Sequence, residues 1–370
     1  VPVHKEGAFY VWTHKEIIEI LGPKEGDPFC AWYGVKPEGN AAFDPHGEFT
    51  GKNILFLARH PDDEDIAGRC RKQLFEHRQK RPRPHLDDKV IVDWNGLMIS
   101  ALAFGGRVLG KERYVDAARA AADFILSHLV DDGRLLHRWR QGQAPAIGVV
   151  GGAGIPATLE DYAFFMTGLI DLYEASFDGK YLEQARRLAR VMQELFEDDV
   201  NGGFYMTARD AESLITRPKE IYDGAIPSGN SASALALLRL HALTGEEGFY
   251  ASASRIFACF SGAISQAPSV YALALCAYDF YREGATQVVL SGPSGPASPA
   301  GGETIAKMTK VLYKHFVPNK SVVHEAGASR VMARVCKGRT CLTPTDDAAV
   351  LERQIVVRLR SPQGDVHEGL

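Results

Sequence analysis

Six acidic residues stand in polar segments that each precede an apolar stretch of the chain. They are Asp88, Asp93, Glu160, Asp161, Glu220 and Asp223. Two carboxyl groups about 5–10 Å apart form the usual catalytic pair of sugar hydrolases, one protonated as acid and one ionised as base or nucleophile. Carboxylates also cap helices, because they accept hydrogen bonds from the free N–H groups of the first turn. Capping is the commoner role, and the sequence leaves both open.

Proton transfer at a carbon atom, as in sugar epimerisation, is a second chemistry to consider. Histidine is the usual base for it near neutral pH. The candidates are His85 and His137, but a lone histidine is more often structural or exposed. The residues therefore support an epimerase only weakly.

Aromatic side chains in the same segments are suited to stacking against a sugar ring, because an aromatic face packs well on C–H surfaces. They are Trp94, Trp139, Tyr162, Phe204, Tyr205 and Tyr222. Most buried aromatic residues belong to a core. Trp94 and Tyr162 are the best ligand candidates because of their positions in an internal repeat.

The repeat supplies the elements that must position these residues. Tyr114, Tyr181 and Tyr250, which are 67 and 69 residues apart, each open an amphipathic helical pattern. Before each tyrosine lies a helical pattern that is apolar on nearly all sides, at residues 97–108, 164–174 and 233–243. A helix apolar all round must be buried all round. We therefore predict a mainly α fold of helical hairpins with inner and outer helices, either an (α/α)6 toroid of the six-hairpin type or an open α-solenoid.

A turn followed by residues that favour strands recurs after the outer helices and favours the toroid, which commonly carries short hairpins at one mouth. It occurs at residues 132–136 and 201–205, and residues 6–10 have the same form. Residues 6–10 would end a hairpin that this chain lacks, so we expect an incomplete toroid.

The register of the repeat places a candidate site at the inner-helix N-termini. Trp94, Asp161 and Asn230 each lie 20 residues before a repeat tyrosine. In a ring, these N-termini converge on one mouth, where free N–H groups favour polar ligands. The predicted catalytic residues are Asp161, Asp223 and Glu160. The predicted ligand-binding residues are Trp94, Asn95, Tyr162, Asn230, Ser228 and Trp139.

The composition changes near residue 285, which predicts a toroid at 1–285 and a small α/β segment at 286–370. The segment is predicted to contain strands at 287–290, 321–324 and 355–359, and helices at 303–314 and 346–353. Residues 291–302, rich in Gly, Pro and Ser, predict a flexible link.

Cys336 and Cys341 flank the sequence KGRT. A turn there would allow a disulfide or a reactive thiol near Lys337 and Arg339. Two reduced cysteines are the favoured interpretation, because six scattered Cys in 370 residues indicate a reduced, cytoplasmic protein.

The remaining motifs mostly exclude functions. A net charge of −4 without a basic block argues against nucleic acid, and no apolar run reaches the roughly 18 residues of a membrane helix. The Gly-rich segment 148–156 lacks the nucleotide-binding signatures and predicts a mouth loop, and no zinc ligand set is evident. We predict neither a metal nor a cofactor.

Four segments carry a family resemblance. They are EGAFYVWT (6–13), RPRPHLDDK (81–89) followed by WNGLM (94–98), LEDYAF (159–164) and YDGAIPSGNS (222–231), and residues 336–347 also fit. In this order they resemble the spermatogenesis-associated, thioredoxin-like protein family, whose bacterial members are called YyaL-like. The resemblance covers nearly the whole chain.

The resemblance implies an N-terminal thioredoxin-like domain, absent here, followed by a toroid like that of acylglucosamine epimerases and related glycosidases. It implies no established reaction. Two functions are expected: a carbohydrate-binding or carbohydrate-active toroid with a sugar or amino-sugar ligand, or a docking module for protein partners of the thioredoxin-like domain.

Overall fold

The computed structural model describes residues 7–41, 44, 47–141, 153–212, 215–292 and 299–360. The chain divides into two compact units, Val1–Asp87 and Asp88–Leu370. Among the described residues, no helix has both the length and the apolar character needed to cross a membrane.

The first unit contains three helices, α1 (His14–Leu21), α2 (Pro23–Trp32) and α3 (Glu64–Arg78). Helix α1 begins with a capping box in which Thr13 and Glu16 bond each other's backbone. The core of this unit includes Trp12, Ile17, Phe29, Trp32 and Leu74. Residues 7–10 form the predicted turn, but the predicted strand is reduced to a single bridge between Trp12 and Asn53.

The second unit contains two layers of helices. The inner helices are α4 (Val92–Leu109), α6 (Leu159–Ser176), α8 (Gly229–Thr244) and α10 (Ala272–Glu283). The outer helices are α5 (Glu112–His128), α7 (Gly179–Phe196) and α9 (Glu247–Gln266). Each inner helix packs on the next inner helix, and each outer helix packs on the inner helix before it. The predicted mainly α fold of the toroid type is confirmed.

The helical patterns predict this layering for a simple reason. Helix α6 is buried along nearly its whole surface, whereas α7 buries one face, including Tyr181, Leu188 and Met192. The close approach of α4 to α6 requires glycine, since a Cβ on Gly96 would lie 2.6 Å from backbone atoms of Phe164 and Phe165.

A small antiparallel sheet lies beside the inner-helix N-termini. Its strands are β1 (Val90–Ile91), β2 (Val130–Asp131), β3 (Arg134–Trp139) and β4 (Ala153–Pro156), and β3 pairs with the other three. Asp132 and Gly133 both have positive φ, as a two-residue hairpin turn requires. The predicted hairpin at 132–136 is therefore present, while 201–205 makes only one bridge, between Glu197 and Phe204. Residues 148–152 of the predicted mouth loop lie outside the described residues.

The α/β segment has its own core. It consists of β5 (Thr286–Gly292), α11 (Pro299–Lys314), β6 (Lys320–Ala326), β7 (Met332–Lys337), β8 (Thr340–Cys341) and α12 (Ala348–Arg360). Strands β5 and β6 are parallel, and β7 pairs antiparallel with β5. The boundary at 285/286 remains a prediction, because this segment lies in the same unit as the helical layers.

Three predictions for this segment were wrong or incomplete. Residues 355–359 continue α12 instead of forming a strand, because Leu351 and Ile355, one helical turn apart, both enter the core. Strand β7 was not predicted. Of the predicted link, residues 291–292 end β5 and 299–302 begin α11, while 293–298 lie outside the described residues.

The prediction of two reduced cysteines is also wrong. A disulfide joins Cys336 to Cys341. The two residues are directly opposite each other across the β7–β8 hairpin, which brings their side chains together.

Gly96→Ala is expected to lower the free energy of unfolding by about 1–3 kcal/mol, because the added methyl group overpacks the α4–α6 contact. Gly105→Ala in the same helix is the matched control. Nothing lies within 4 Å of a Cβ at Gly105, so the better helix propensity of alanine should raise stability by up to about 1 kcal/mol. Urea unfolding measures both, and equal effects would contradict the close approach.

Candidate active site at the inner-helix N-termini

The N-termini of α4, α6 and α8 lie side by side. The backbone N–H of Asp93 at the start of α4 donates to Asp161 in the first turn of α6, at 3.1 Å. A Cβ on Gly229 at the start of α8 would lie 2.8 Å from Leu159 and 3.0 Å from Glu160. The inner helices therefore begin at one mouth, as their register predicts.

Asp161 is the centre of this mouth. Its carboxylate is completely buried and accepts hydrogen bonds from the N–H of Asp93 and from both the N–H (2.8 Å) and the hydroxyl (3.2 Å) of Thr158. The bond from the Thr158 N–H is one half of the capping box of α6. The Nδ1 atom of His137 lies 3.0 Å from each carboxylate oxygen. A buried charge with this many donors is held in one orientation.

His137 lies on β3 with its side chain 28% exposed. A carboxylate only accepts hydrogen bonds, so Nδ1 carries the donated proton and Nε2 is left for other chemistry. The hydrogen bond to Asp161 raises the pKa of His137 above its ordinary value, partly opposed by burial, and the charge of Asp93 raises it further.

Two half-buried carboxyl groups adjoin this pair. Burial raises the pKa of Asp93, and repulsion by Asp161 adds to the effect, while the charge of His137 opposes it. Burial is also the main cause of the raised pKa of Glu160. An imidazole and a carboxyl group at one mouth, each influenced by the other's charge, are the components of acid–base chemistry.

Three predicted site residues bind backbone groups of the surrounding loops. Asp223 accepts from Ser228 N–H at 2.9 Å, and from the first N–H groups of α10 at 2.8 and 3.1 Å. Ser228 caps α8. Asn230 is fully buried, and its amide bonds the N–H and C=O of Phe204 and the C=O of Glu220.

The other predicted ligand-binding residues, three aromatic residues and Asn95, differ in how far their side chains are exposed to solvent. Tyr162 is 1% exposed, and its hydroxyl accepts from Leu135 N–H. Trp139 is partly buried and meets the ring of Phe124 edge-on. Asn95 is half-buried and donates to the C=O of Ile91. Trp94 is 62% exposed, so its ring is open to a ligand.

His137 and Asp93 were candidates in the sequence but neither was a predicted site residue, whereas the structure brings both to Asp161. The alternation of side chains along a strand is a sequence signal that could have identified His137 as a site residue. Side chains two apart share a face of a strand, and Leu135 and Trp139, which flank His137 on β3, both pack against the helical core. The other histidine candidate, His85, belongs to the first unit, whereas Asp161 and His137 belong to the second.

Sequence comparison finds relatives of this chain. It is 32% identical over 400 residues to spermatogenesis-associated protein 20 of Homo sapiens, which covers 94% of this chain and 49% of the human protein. Spermatogenesis-associated protein 20 of Homo sapiens and that of Mus musculus are homologues of this chain. The chain spans about half the length of the curated relatives it matches. No family model matches it.

Solved structures with similarity to the chain include two carbohydrate-active enzymes. A GH76 α-mannanase of Bacteroides thetaiotaomicron matches 80% of this chain and 82% of its own, with 13% identity and a TM-score of 0.42. The cellobiose 2-epimerase of Bacillus thermoamylovorans matches 48% and 46%, with 17% identity and a TM-score of 0.38.

Asp161→Asn is expected to lower the pKa of His137, because the neutral amide removes the charge that favours the imidazolium while the burial that opposes it remains. NMR titration of the His137 imidazole measures this. Asp123→Asn, at an exposed ion pair with Lys180, is the control and should leave His137 unchanged. An unaltered pKa in Asp161→Asn would contradict the pairing.

Proposed function

We propose that the inner-helix mouth of this chain binds a sugar and moves a proton on it. The observation that carries the proposal is the His137–Asp161 pair, in which a buried carboxylate holds a partly exposed imidazole in one tautomer. Asp161 acts as a positioning residue, and His137 and Asp93 act as the acid and the base.

The pKa shifts match these roles. A raised pKa keeps His137 protonated closer to neutral pH, so its Nε2–H can donate to a carbonyl oxygen. A raised pKa makes the ionised Asp93 carboxylate a stronger base. Asp93 takes the proton from the carbon next to the sugar carbonyl, and the C–H electron pair forms the enediol as His137 protonates the oxygen. Water then delivers a proton to the opposite face of the carbon, the enediol hydroxyl returns its proton to His137, and Asp93 releases its proton to solvent, which gives the epimer.

The arrangement of the other carboxylates supports proton transfer over hydrolysis. Two of the three predicted catalytic residues, Asp161 and Asp223, accept hydrogen bonds from the first turns of the helices and from the loops. A general acid for hydrolysis must instead hold a proton for the leaving group. We therefore assign Asp223 to capping in this proposal.

Exposed aromatic rings support a sugar as the ligand. Trp94 follows Asp93 directly in α4, and Tyr222, which is 55% exposed, precedes Asp223. Both rings are suited to stacking on a pyranose face. Asn95 remains a candidate for binding a hydroxyl group. Tyr162 and Asn230 are assigned to the core.

We further propose that the chain belongs to the spermatogenesis-associated, thioredoxin-like family and acts beside a thioredoxin-like domain in a longer cytoplasmic protein. The 32% identity to spermatogenesis-associated protein 20 over 94% of the chain supports the assignment. The thioredoxin-like domain and the YyaL-like relationship rest on the motifs quoted above.

A second candidate function is docking of a protein partner. Helix α4 exposes a row of large apolar side chains, Trp94, Met98, Phe104 and Val108. Such a row is typical of a surface that binds another element. This candidate predicts no sugar chemistry.

The test is hydrogen exchange at the sugar carbon in D₂O. Reducing mono- and disaccharides and N-acetylhexosamines are incubated with the protein, and deuterium at C2 is measured by NMR. Exchange is expected with at least one sugar, and His137→Gln and Asp93→Asn should each slow it by about 100-fold. His128→Gln, at the end of α5, is the control. Absence of exchange with every sugar, or full activity of both variants, would overturn the proposal and favour docking.

The exchange rate should depend on pH in a bell-shaped way. It should fall at high pH, as His137 loses its proton above a raised pKa, and at low pH, as Asp93 is protonated below a raised pKa. Asp161→Asn should move the high-pH limb to lower pH. A rate that rises steadily with pH would rule out the imidazolium as the acid.

A further inference from the structure

A cavity lies at the end of the inner helices opposite Asp161. The helices are parallel, because their N-termini meet at Asp161 while Arg107, Asp171, Glu174 and Arg239 meet near their C-terminal ends. The cavity has a volume of about 730 Å³, within the range of small-molecule sites. Most of its lining is apolar and includes Phe104, Val108, Leu235, Leu275, Phe280 and Val317.

A buried set of two arginines and two carboxylates forms part of the cavity wall. Arg107 bonds Glu174 at 2.8 Å and Asp171 at 3.2 Å, and Arg239 bonds Asp171 at 2.9 Å and Glu174 at 3.4 Å. The other oxygens of the carboxylates accept from Ser100 and from the N–H of Val322. This set is neutral overall.

Lys320 adds a positive charge to that wall. Its ammonium donates to the C=O of Leu312 and lies 4.0 Å from the centre of the Tyr313 ring. Within the described ranges, no carboxylate makes an ion pair with it. The other charged side chains of the lining have partners of their own: Asp279 accepts from Asn319, and His315 bonds Glu352. The described lining is therefore formally neutral, since Asp279 balances Lys320, but no carboxylate makes an ion pair with the Lys320 ammonium.

The pKa of Lys320 agrees with the absence of a counter-ion. Burial is the main reason that it is lowered to about 8, and the charge of Arg107 lowers it further, while Glu174 opposes the shift. A half-buried cation without a counter-ion is costly, and a ligand that brings the opposite charge lowers that cost.

We propose that this cavity binds a small, mainly apolar carboxylic acid, whose carboxylate pairs with Lys320 and whose apolar body packs on the side chains from α4, α8 and α10. The site is independent of the inner-helix mouth, since it uses the other ends of the helices and none of the residues proposed for sugar chemistry.

The test compares an acid with the alcohol of the same shape. Binding of 4-phenylbutyrate and 4-phenylbutan-1-ol to the full chain is measured by titration calorimetry. The acid is expected to bind at least 10-fold more tightly than the alcohol. Lys320→Met should weaken acid binding by at least 10-fold and leave alcohol binding within about twofold, while Lys320→Arg should retain the preference for the acid.

Two controls locate the effect. Lys310→Met removes an exposed lysine of α11 outside the cavity and should change nothing. Leu275→Trp narrows the cavity and should weaken both probes, with circular dichroism confirming that each variant is folded. Equal binding of acid and alcohol, unchanged acid binding in folded Lys320→Met, or no binding of either probe would overturn the proposal, and none of these results bears on exchange at the mouth.

Discussion

The carboxylate of Asp161 holds three elements of the second unit together. It caps its own helix α6 through Thr158, bonds the first turn of α4 through the N–H of Asp93, and holds His137 of β3. A fully buried charge is tolerated only when donors surround it. The arrangement of two inner helices and a strand is therefore tied to one group. The same group determines the tautomer and direction of the imidazole, so the stability of the mouth and its proposed chemistry share one cause.

Because the inner helices are parallel, charged side chains gather at both ends of the helical layer. Helix N-termini carry partial positive charge and favour carboxylates, and C-termini favour cations. The four N-termini accordingly collect Asp93, Asp161 and Asp223, while at the opposite ends Arg107 and Arg239 pair with Asp171 and Glu174. At each end the paired groups have a structural role. The Nε2 atom of the partly exposed His137 at one end, and the Lys320 ammonium without an ion-pair partner at the other, are what remain for a ligand.

The α/β segment contributes to the second of these ends. The N–H of Val322 in β6 donates to Glu174, the N–H of His324 donates to the hydroxyl of Tyr173, and the hydroxyl of Tyr313 accepts from Arg107. These bonds join the segment to the inner helices through groups that would otherwise be buried without partners. The cavity exists because the 313–320 stretch crosses the helix ends without filling the space between α4 and α10.

The sequence by itself determined the helical layers, their register and the turn at Asp132 and Gly133. These features follow from the apolar period and from local backbone preference, which depend on residues a few positions apart. It did not determine that 355–359 continues a helix, since the Ile-Val-Val run favours a strand locally, nor that Cys336 and Cys341 are paired. Only the tertiary structure decided which polar side chains are already held by hydrogen bonds within the fold. Asp161 meets His137 across 24 residues and Asp93 across 68, and contacts over such distances depend on how the helices and the sheet pack, which no local pattern encodes.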